Sequence, residues 1–319
     1  MYIGIDLGGT NIVVGIVDEN GKIVHEKSCE TRSEREPHEL IEDMIALVLN
    51  VLDEFHMQIN EINAIGIGIP GLSDKEGNVI FCVNLGWRNV PLRRMIEDAL
   101  HTPVYIDNDA TVAALAEYES GSMQNCKSGL MLTLGTGIGG GIIINGEIYS
   151  GFNGVGSELG HTVIGENFYD CNCGRNGCLE TFASSTAIIK YAKKLIMEMN
   201  EPTTILENVE GNINNLNAKI IFDCAKKGDK IATLAVNRLI KYLGIGIINI
   251  VNFIDPEIIV LGGGIAGAGQ YLLDLITKEV MANKYYEELP IAKIVLAQLG
   301  NEAGVIGAAM VAKHEDVKH

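Results

Sequence analysis

The chain runs to 319 residues, 47% of them apolar and 20% charged, which gives room for two domains with sizeable cores and excludes a disordered chain. Its net charge of −17 argues against nucleic-acid binding, which needs a basic face to displace counterions. An anionic ligand must then be held by local backbone donors and a metal, not by the overall field.

The pattern opens with a strand at 2–6, a glycine turn at 7–10, a strand at 11–17, a hairpin turn at 18–21 and a strand at 22–29. A helix is expected over 37–55, where Leu40, Ile41, Met44, Ile45, Val48, Val51, Leu52 and Phe55 recur at helical spacing. A buried strand at 64–69 ends in Pro70-Gly71, a second strand covers 104–106, and a helix follows over 109–118. The pattern then restarts: strand 129–134, turn Gly135-Thr136-Gly137, strand 141–144, hairpin turn Asn145-Gly146, strand 147–149. This internal repeat suggests two related α/β domains. Helices are expected near 185–199, 217–227 and 230–252, then a strand at 258–261 running into Gly262-Gly263-Gly264. A last Gly- and Ala-rich helix at 302–313 suits close packing.

The first strand is read from Tyr2 with no basic leader, so neither a secretory segment nor a membrane anchor is expected, and the expected location is cytoplasmic. The most apolar stretch, 243–262, is interrupted by Asn249, Asn252, Asp255, Pro256 and Glu257. Of seven cysteines, Cys171, Cys173 and Cys178 are clustered, which suggests metal binding over disulfides.

Five motifs carry chemistry. In Asp6-Leu7-Gly8-Gly9-Thr10 the paired glycines let the backbone turn sharply and aim its N–H groups at an anion, Thr10 adds a hydroxyl, and Asp6 could orient a Mg²⁺ shell. A plain hairpin turn uses the same residues. Gly135-Thr136-Gly137, followed by more glycines to Gly141, repeats that logic in the second half. No Lys follows it as in a Walker loop, and a strand follows where a dinucleotide fingerprint needs a helix. Ile259 to Gly264 is a buried strand ending in three glycines, which would admit the flat ring of adenosine, or simply make a tight strand–helix turn. Asp107-Asn108-Asp109-Ala110 stands at a strand-to-helix junction, where either aspartate could cap the helix or serve as base for a sugar hydroxyl. His161, Cys171, Cys173 and Cys178, with Gly174 and Gly177 permitting a tight loop, offer the one imidazole and three thiolates of a closed structural zinc site.

With these motifs the chain resembles the ROK (repressor, open reading frame, kinase) family and its bacterial glucokinase branch. The matching segments are Asp6 to Thr10, Gly68-Ile69-Pro70-Gly71, Asn84-Leu85-Gly86-Trp87, Asn108-Asp109-Ala110, Leu134 to Gly141, Glu158-Leu159-Gly160-His161, Cys171 to Glu180 and Leu261 to Gly264, in the family's order. The resemblance implies an α/β, actin-like (ribonuclease H-like) ATPase fold of two domains around a central cleft. The domains are expected at 1–118, completed by a C-terminal helix at 302–319, and at 119–301, with the zinc loop at 161–180. It implies ATP-dependent phosphorylation of the 6-hydroxyl of glucose, with Mg²⁺ as the nucleotide's companion and zinc as a structural ion. Asp109 matches the catalytic base; Gly71, Asn84, Asn108, Glu158, His161 and Glu180 match the sugar site. Asp6, Gly8, Gly9, Thr10, Gly135, Thr136 and Gly137 match the phosphate loops, and Gly262 and Gly263 the adenosine loop. Two departures stand out: Thr111 where the family usually has Asn, and Asn11 and Val13 where a Lys is common.

Domain closure would exclude water, which otherwise competes as phosphoryl acceptor. The implied partners are glucose or a related hexose and ATP, with neither nucleic acid nor membrane, and a dimer or tetramer. Within the kinases, N-acetylmannosamine, mannose or fructose are alternative acceptors and polyphosphate an alternative donor. A sugar-responsive repressor would carry an N-terminal helix-turn-helix, and with the first strand at Tyr2 no such module is expected. An actin-like filament subunit would have no need of Glu158, Glu180 and a zinc loop.

Overall fold

The computed structural model describes residues 1–199 and 201–317. Two compact units emerge from it: residues 1–128, 141–157 and 298–319 form one, residues 129–140 and 158–297 the other. The domains expected at 1–118 with 302–319, and at 119–301, differ from this division chiefly at 119–128 and 141–157. Gly141 explains part of the difference, since a Cβ there would lie 2.3 Å from the Ala114 side chain and 2.8 Å from the Ala110 carbonyl. Asn200, Lys318 and His319 of the expected ranges lie outside the described residues.

The first unit is built on a sheet of β1 (Tyr2–Leu7), β2 (Asn11–Val17), β3 (Ile23–Glu30), β4 (Ile65–Ile69) and β8 (Val104–Asn108), in the order β3-β2-β1-β4-β8. β1, β2 and β3 are antiparallel neighbours, whereas β4 runs parallel to both β1 and β8. Both faces are covered, which is why β1 and β4 read as near-continuous apolar runs. On one face α1 (Pro37–Glu54) turns Leu40, Ile41, Met44, Val48 and Val51 into a core shared with Ile3, Ile5 and Ile67. A small sheet of β5 (Leu72–Ser73), β6 (Val79–Cys82) and β7 (Trp87–Val90) and the helix α2 (Leu92–Leu100) adjoin the same core through Val79, Trp87 and Leu92. On the other face lie α3 (Asp109–Ser120) and α10 (Ala303–Asp316). The close packing expected of the last helix is present: a Cβ on Gly66 would sit 1.7 Å from the Ala308 carbonyl oxygen, so helix backbone rests directly on the strand.

The second sheet has the order β11-β10-β9-β12-β13, from β9 (Ser128–Leu134), β10 (Ile138–Ile144), β11 (Glu147–Ile148), β12 (Ile258–Gly262) and β13 (Lys293–Leu296). It repeats the first in form, with β12 parallel to β9 and β13 and with β10 antiparallel to β11. The internal repeat read from the sequence is therefore a repeat of topology. The helices of the second unit are α4 (Glu180–Ala183), α5 (Ser185–Met199), α6 (Thr204–Asn208), α7 (Ala218–Lys226), α8 (Lys230–Ile254) and α9 (Gln270–Asn283). α8 is long and apolar enough to cross a membrane by length and composition, but more than half of its most apolar window is buried inside the protein. It packs against α4, α5, α7 and α9 as a core helix, and Asp255 ends it in the left-handed conformation before the strand at Ile258.

Candidate active site and metal centre

In the first unit the turn Gly8-Gly9-Thr10 joins β1 to β2. Its shape is fixed from the residue that follows β3: Thr31, fully buried, donates its hydroxyl to the Gly8 carbonyl at 2.7 Å and its backbone N–H to the Thr10 carbonyl at 2.8 Å. Asp6, at the end of β1, lies beside the start of α10, where a Cβ on Gly304 would fall 2.3 Å from Asp6 Oδ2. Burial pushes the Asp6 carboxyl above its ordinary value.

The strand-to-helix junction corrects one expectation. Neither aspartate caps α3; Asn108 does, accepting from the N–H groups of Ala110 and Thr111 at 2.9 and 3.4 Å. Its amide also donates to the Gly71 carbonyl at 3.1 Å, tying the Pro70-Gly71 turn to the helix. Asp109 becomes the first residue of α3, exposed, with Oδ1 accepting the Ala110 N–H at 2.8 Å. Asp107 points elsewhere. It neighbours Glu315 of α10, and burial pushes its carboxyl up to about 6 despite the Asn108 N–H it accepts. Asn84 sits on a short turn of 3₁₀ helix, 3.6 Å from where a Gly9 Cβ would be, and Gly86 leaves that turn at φ 65°. Gly71, Asn84, Asn108 and Asp109 are thus arranged around one end of the parallel strands, near the Gly8-Gly9 turn. Thr111, at the position where the family usually has Asn, is 3.4 Å from the Ser157 hydroxyl.

In the second unit the turn Gly135-Thr136-Gly137 joins β9 to β10. Ser185 donates its N–H to the Gly135 carbonyl at 2.8 Å, and Glu180 Oε2 is so near Gly137 that a Cβ there would lie 2.6 Å from it. Gly263, at φ 80°, follows β12 and lies against Leu134, bringing the third glycine segment to the same end of the sheet. Glu158 caps a short 3₁₀ turn of which His161 is the last residue. His161 Nε2 is 3.9 Å from Glu158 Oε2, and its Nδ1 is 3.9 Å from Glu180 Oε1.

The four ligand atoms of His161, Cys171, Cys173 and Cys178 lie within 4.8 Å of one another, and no disulfide joins the cysteines. The loop closes because Gly174 and Gly177 take φ of 86° and 91°, and because a Cβ on Gly177 would be 1.7 Å from the Gly165 carbonyl. Tetrahedral zinc at usual bond lengths sets sulfurs about 3.8 Å apart and sulfur about 3.6 Å from an imidazole nitrogen. Cys173 and Cys178 sulfurs are 3.6 Å apart, and Cys171 Sγ is 3.5 Å from His161 Nδ1. The donor set fits zinc. Although burial opposes it, hydrogen bonds from the Arg175 side chain and backbone draw the Cys173 thiol down to about 6, so one thiolate forms readily. The Cys171 thiol donates to Glu180 Oε1 at 2.9 Å, linking the cluster to that carboxylate.

Sequence reasoning passed over Thr31, whose role depends on a contact across the sheet, and Arg238, whose guanidinium donates to Asn167 beside the cysteine loop at 2.7 Å. Arg238 had one signal, an arginine set between Ala235-Val236 and Leu239-Ile240 of a buried helix.

Two sheets of one topology, each opening on a glycine turn, define an actin-like ATPase fold with mixed α/β layers. The chain belongs to the ROK family, whose model matches residues 2–315. A glucokinase of Halalkalibacterium halodurans is 38% identical, with 99% of this chain and 96% of the relative covered. The crystal structure of a ROK family glucokinase from Streptomyces griseus in complex with glucose and AMPPNP is similar with a TM-score of 0.82, at 32% identity, covering 98% of this chain and 99% of that one. A xylose repressor of Caldicellulosiruptor bescii is 32% identical over 97% of this chain and 77% of its own length.

Proposed function

We propose that this protein is a cytoplasmic, ATP-dependent glucokinase that phosphorylates the 6-hydroxyl of glucose. The observation that carries the reading is its full-length similarity to the Streptomyces griseus enzyme, whose structure holds glucose and an ATP analogue. The local geometry supports it residue by residue. Asp109 takes the proton of the attacking hydroxyl, since it stands exposed at the start of α3 on a junction pinned by Asn108. Gly71, Asn84, Asn108, Glu158, His161 and Glu180 read the sugar hydroxyls. Hydrogen-bonding sites discriminate strongly, because a missing hydroxyl leaves a buried polar group unpaired. Gly8, Gly9, Thr10, Gly135, Thr136 and Gly137 hold phosphate, Asp6 orients the Mg²⁺ that arrives with ATP, and Gly262 and Gly263 admit the adenosine.

His161, Cys171, Cys173 and Cys178 would hold zinc. With four protein ligands such an ion would supply structural cross-linking and fixed charge, and would leave no open position for water. His161 would bind it through Nδ1, which faces Cys171, leaving Nε2 toward Glu158 for a sugar hydroxyl. The two-domain arrangement and a homodimer or homotetramer belong to the same proposal. An ADP-release assay with ATP and Mg²⁺ over glucose, mannose, fructose and N-acetylmannosamine tests it: glucose should give the highest kcat/KM, and turnover with none of the four would refute it. Similarity to the xylose repressor favours a sugar-responsive regulator as the second reading. Glucose binding without any phosphoryl transfer would select it.

A further inference from the structure

Arg238 lies half-buried on α8, and its guanidinium is surrounded by rings. The guanidinium carbon is 4.5 Å from the Tyr191 centroid, 4.8 Å from Phe182, 5.2 Å from Tyr242 and 5.7 Å from Phe168. Phe182 and Tyr242 also stack on each other at 4.1 Å. Four ring faces around one cation hold it by electrostatic attraction and restrict its rotamers.

Among the described residues the fixed guanidinium has one directed hydrogen bond. Its Nη2 donates to Asn167 Oδ1 at 2.7 Å, and Asn167 passes the constraint on by donating Nδ2 to the Thr181 carbonyl at 2.7 Å. The Tyr169 hydroxyl donates to that same carbonyl at 2.8 Å. Thr181 belongs to α4, a helix of one turn, too short to satisfy its carbonyls internally. Side chains from the 167–169 segment therefore fix this turn, and Glu180 is its first residue. Asn167 also accepts into its backbone carbonyl from Asn176, inside the cysteine loop, at 3.1 Å.

We propose that Arg238 is a positioning residue for sugar binding: caged by Phe168, Phe182, Tyr191 and Tyr242, it locks Asn167 onto the Thr181 carbonyl and so aims the adjacent Glu180 carboxylate. The inference rests on the sugar-binding role proposed for Glu180. It adds that the orientation of Glu180 is set from α8, 58 residues along the chain, and not by the metal loop alone.

The test compares Arg238→Met, Arg238→Lys, Asn167→Ala, the double variant Arg238→Met/Asn167→Ala and Glu180→Gln in steady-state kinetics, with thermal melting and metal content on the same samples. Arg238→Met fills the cage without donating to Asn167. It should raise the glucose KM by about 10–100-fold, the range found for residues that orient the direct ligands of a metal, while kcat moves far less. Arg238→Lys keeps the charge over the rings and should recover part of the loss. Asn167→Ala should match Arg238→Met, and the double variant should be no worse than either, because the two act in series. Metal content should stay at the wild-type value. A lower melting temperature with an unchanged glucose KM would make the cage a packing feature only and overturn the inference. So would additive effects in the double variant. If Glu180→Gln itself leaves the glucose KM unchanged, the reading of Glu180 falls and the inference with it. If Glu180→Gln raises it and Arg238→Met does not, the inference alone falls.

Discussion

Gly137 and Glu180 touch: a Cβ on the glycine would lie 2.6 Å from the carboxylate Oε2. A turn proposed to hold phosphate is therefore in contact with a carboxylate proposed to hold sugar, both within the second unit. Gly137→Ala separates these roles. The clash is with the far end of a flexible side chain, so Glu180 can swing away and the fold should survive. A misplacement of about 1 Å at a reacting site costs on the order of 10²-fold in rate. Kinetics on Gly137→Ala should show kcat/KM for glucose reduced by that order, with a melting temperature close to wild type. Full activity would mean that the position of Glu180 does not matter.

The two aspartates flanking Asn108 should separate in both activity and pH behaviour. Asp109→Asn keeps the shape of the junction and should lose about 10²-fold or more of kcat with little change in glucose affinity. Asp107→Asn should be mild in activity and should act on stability. The Asp107 carboxyl has a pKa raised from 3.8 to about 6 in the folded state. A raised carboxyl pKa means that the fold favours the neutral form. Its contribution is intact below pH 4 and is lost as pH rises through 6, a loss of at most about 3 kcal/mol. Asp107→Asn should therefore melt higher than wild type at pH 8 and alike at pH 4. Melting curves at the two pH values that show the opposite order would contradict this account of the residue.

Thr31→Val tests the shape of the first glycine turn. The hydroxyl given to the Gly8 carbonyl is lost at nearly constant volume, at a cost of about 1 kcal/mol. The ATP KM should rise while the glucose KM stays near wild type. A rise in the glucose KM alone would mean that the turn serves the sugar.

How much of this was legible in the sequence depended on the range of the interactions. β1 was readable as a short, near-continuous apolar run ending at a glycine turn, and α1 because its apolar residues repeat at the helical period, with Leu40, Met44 and Val51 buried as the stripe required. The clustering of His161, Cys171, Cys173 and Cys178 was readable because three cysteines fall within eight residues. β5, β6 and β7 were not read, since strands of two to four residues carry too few alternations to register. α9 and β13 were also missed. The cap at Asn108 was not read, with capping left open between the two aspartates, because Asp, Asn and Asp in succession are equally good caps and only the backbone decides among them. The Arg238 cage gathers residues 168, 182, 191, 238 and 242, a tertiary arrangement that no local pattern announces.

The metal loop yields a prediction with its own chemical readout. Cys173 is the exposed member of the cluster, so Cys173→Ala should remove one ligand with little damage to the core. Elemental analysis should find about one zinc per wild-type chain and clearly less in the variant. The glucose KM should rise sharply, because Glu158 and Glu180 lie at the two ends of the loop, and nucleotide affinity without sugar should stay nearly unchanged. Active wild-type protein with no zinc would refute the site.

The central claim is phosphoryl transfer from ATP to the 6-hydroxyl of glucose. It is tested most directly by incubating the protein with ATP, Mg²⁺ and glucose and locating the phosphate on the product by phosphorus and carbon NMR. The account predicts glucose 6-phosphate and ADP in equal amounts, with product formation largely abolished in Asp109→Asn. No phosphorylated sugar, or phosphate on any other hydroxyl, would contradict it.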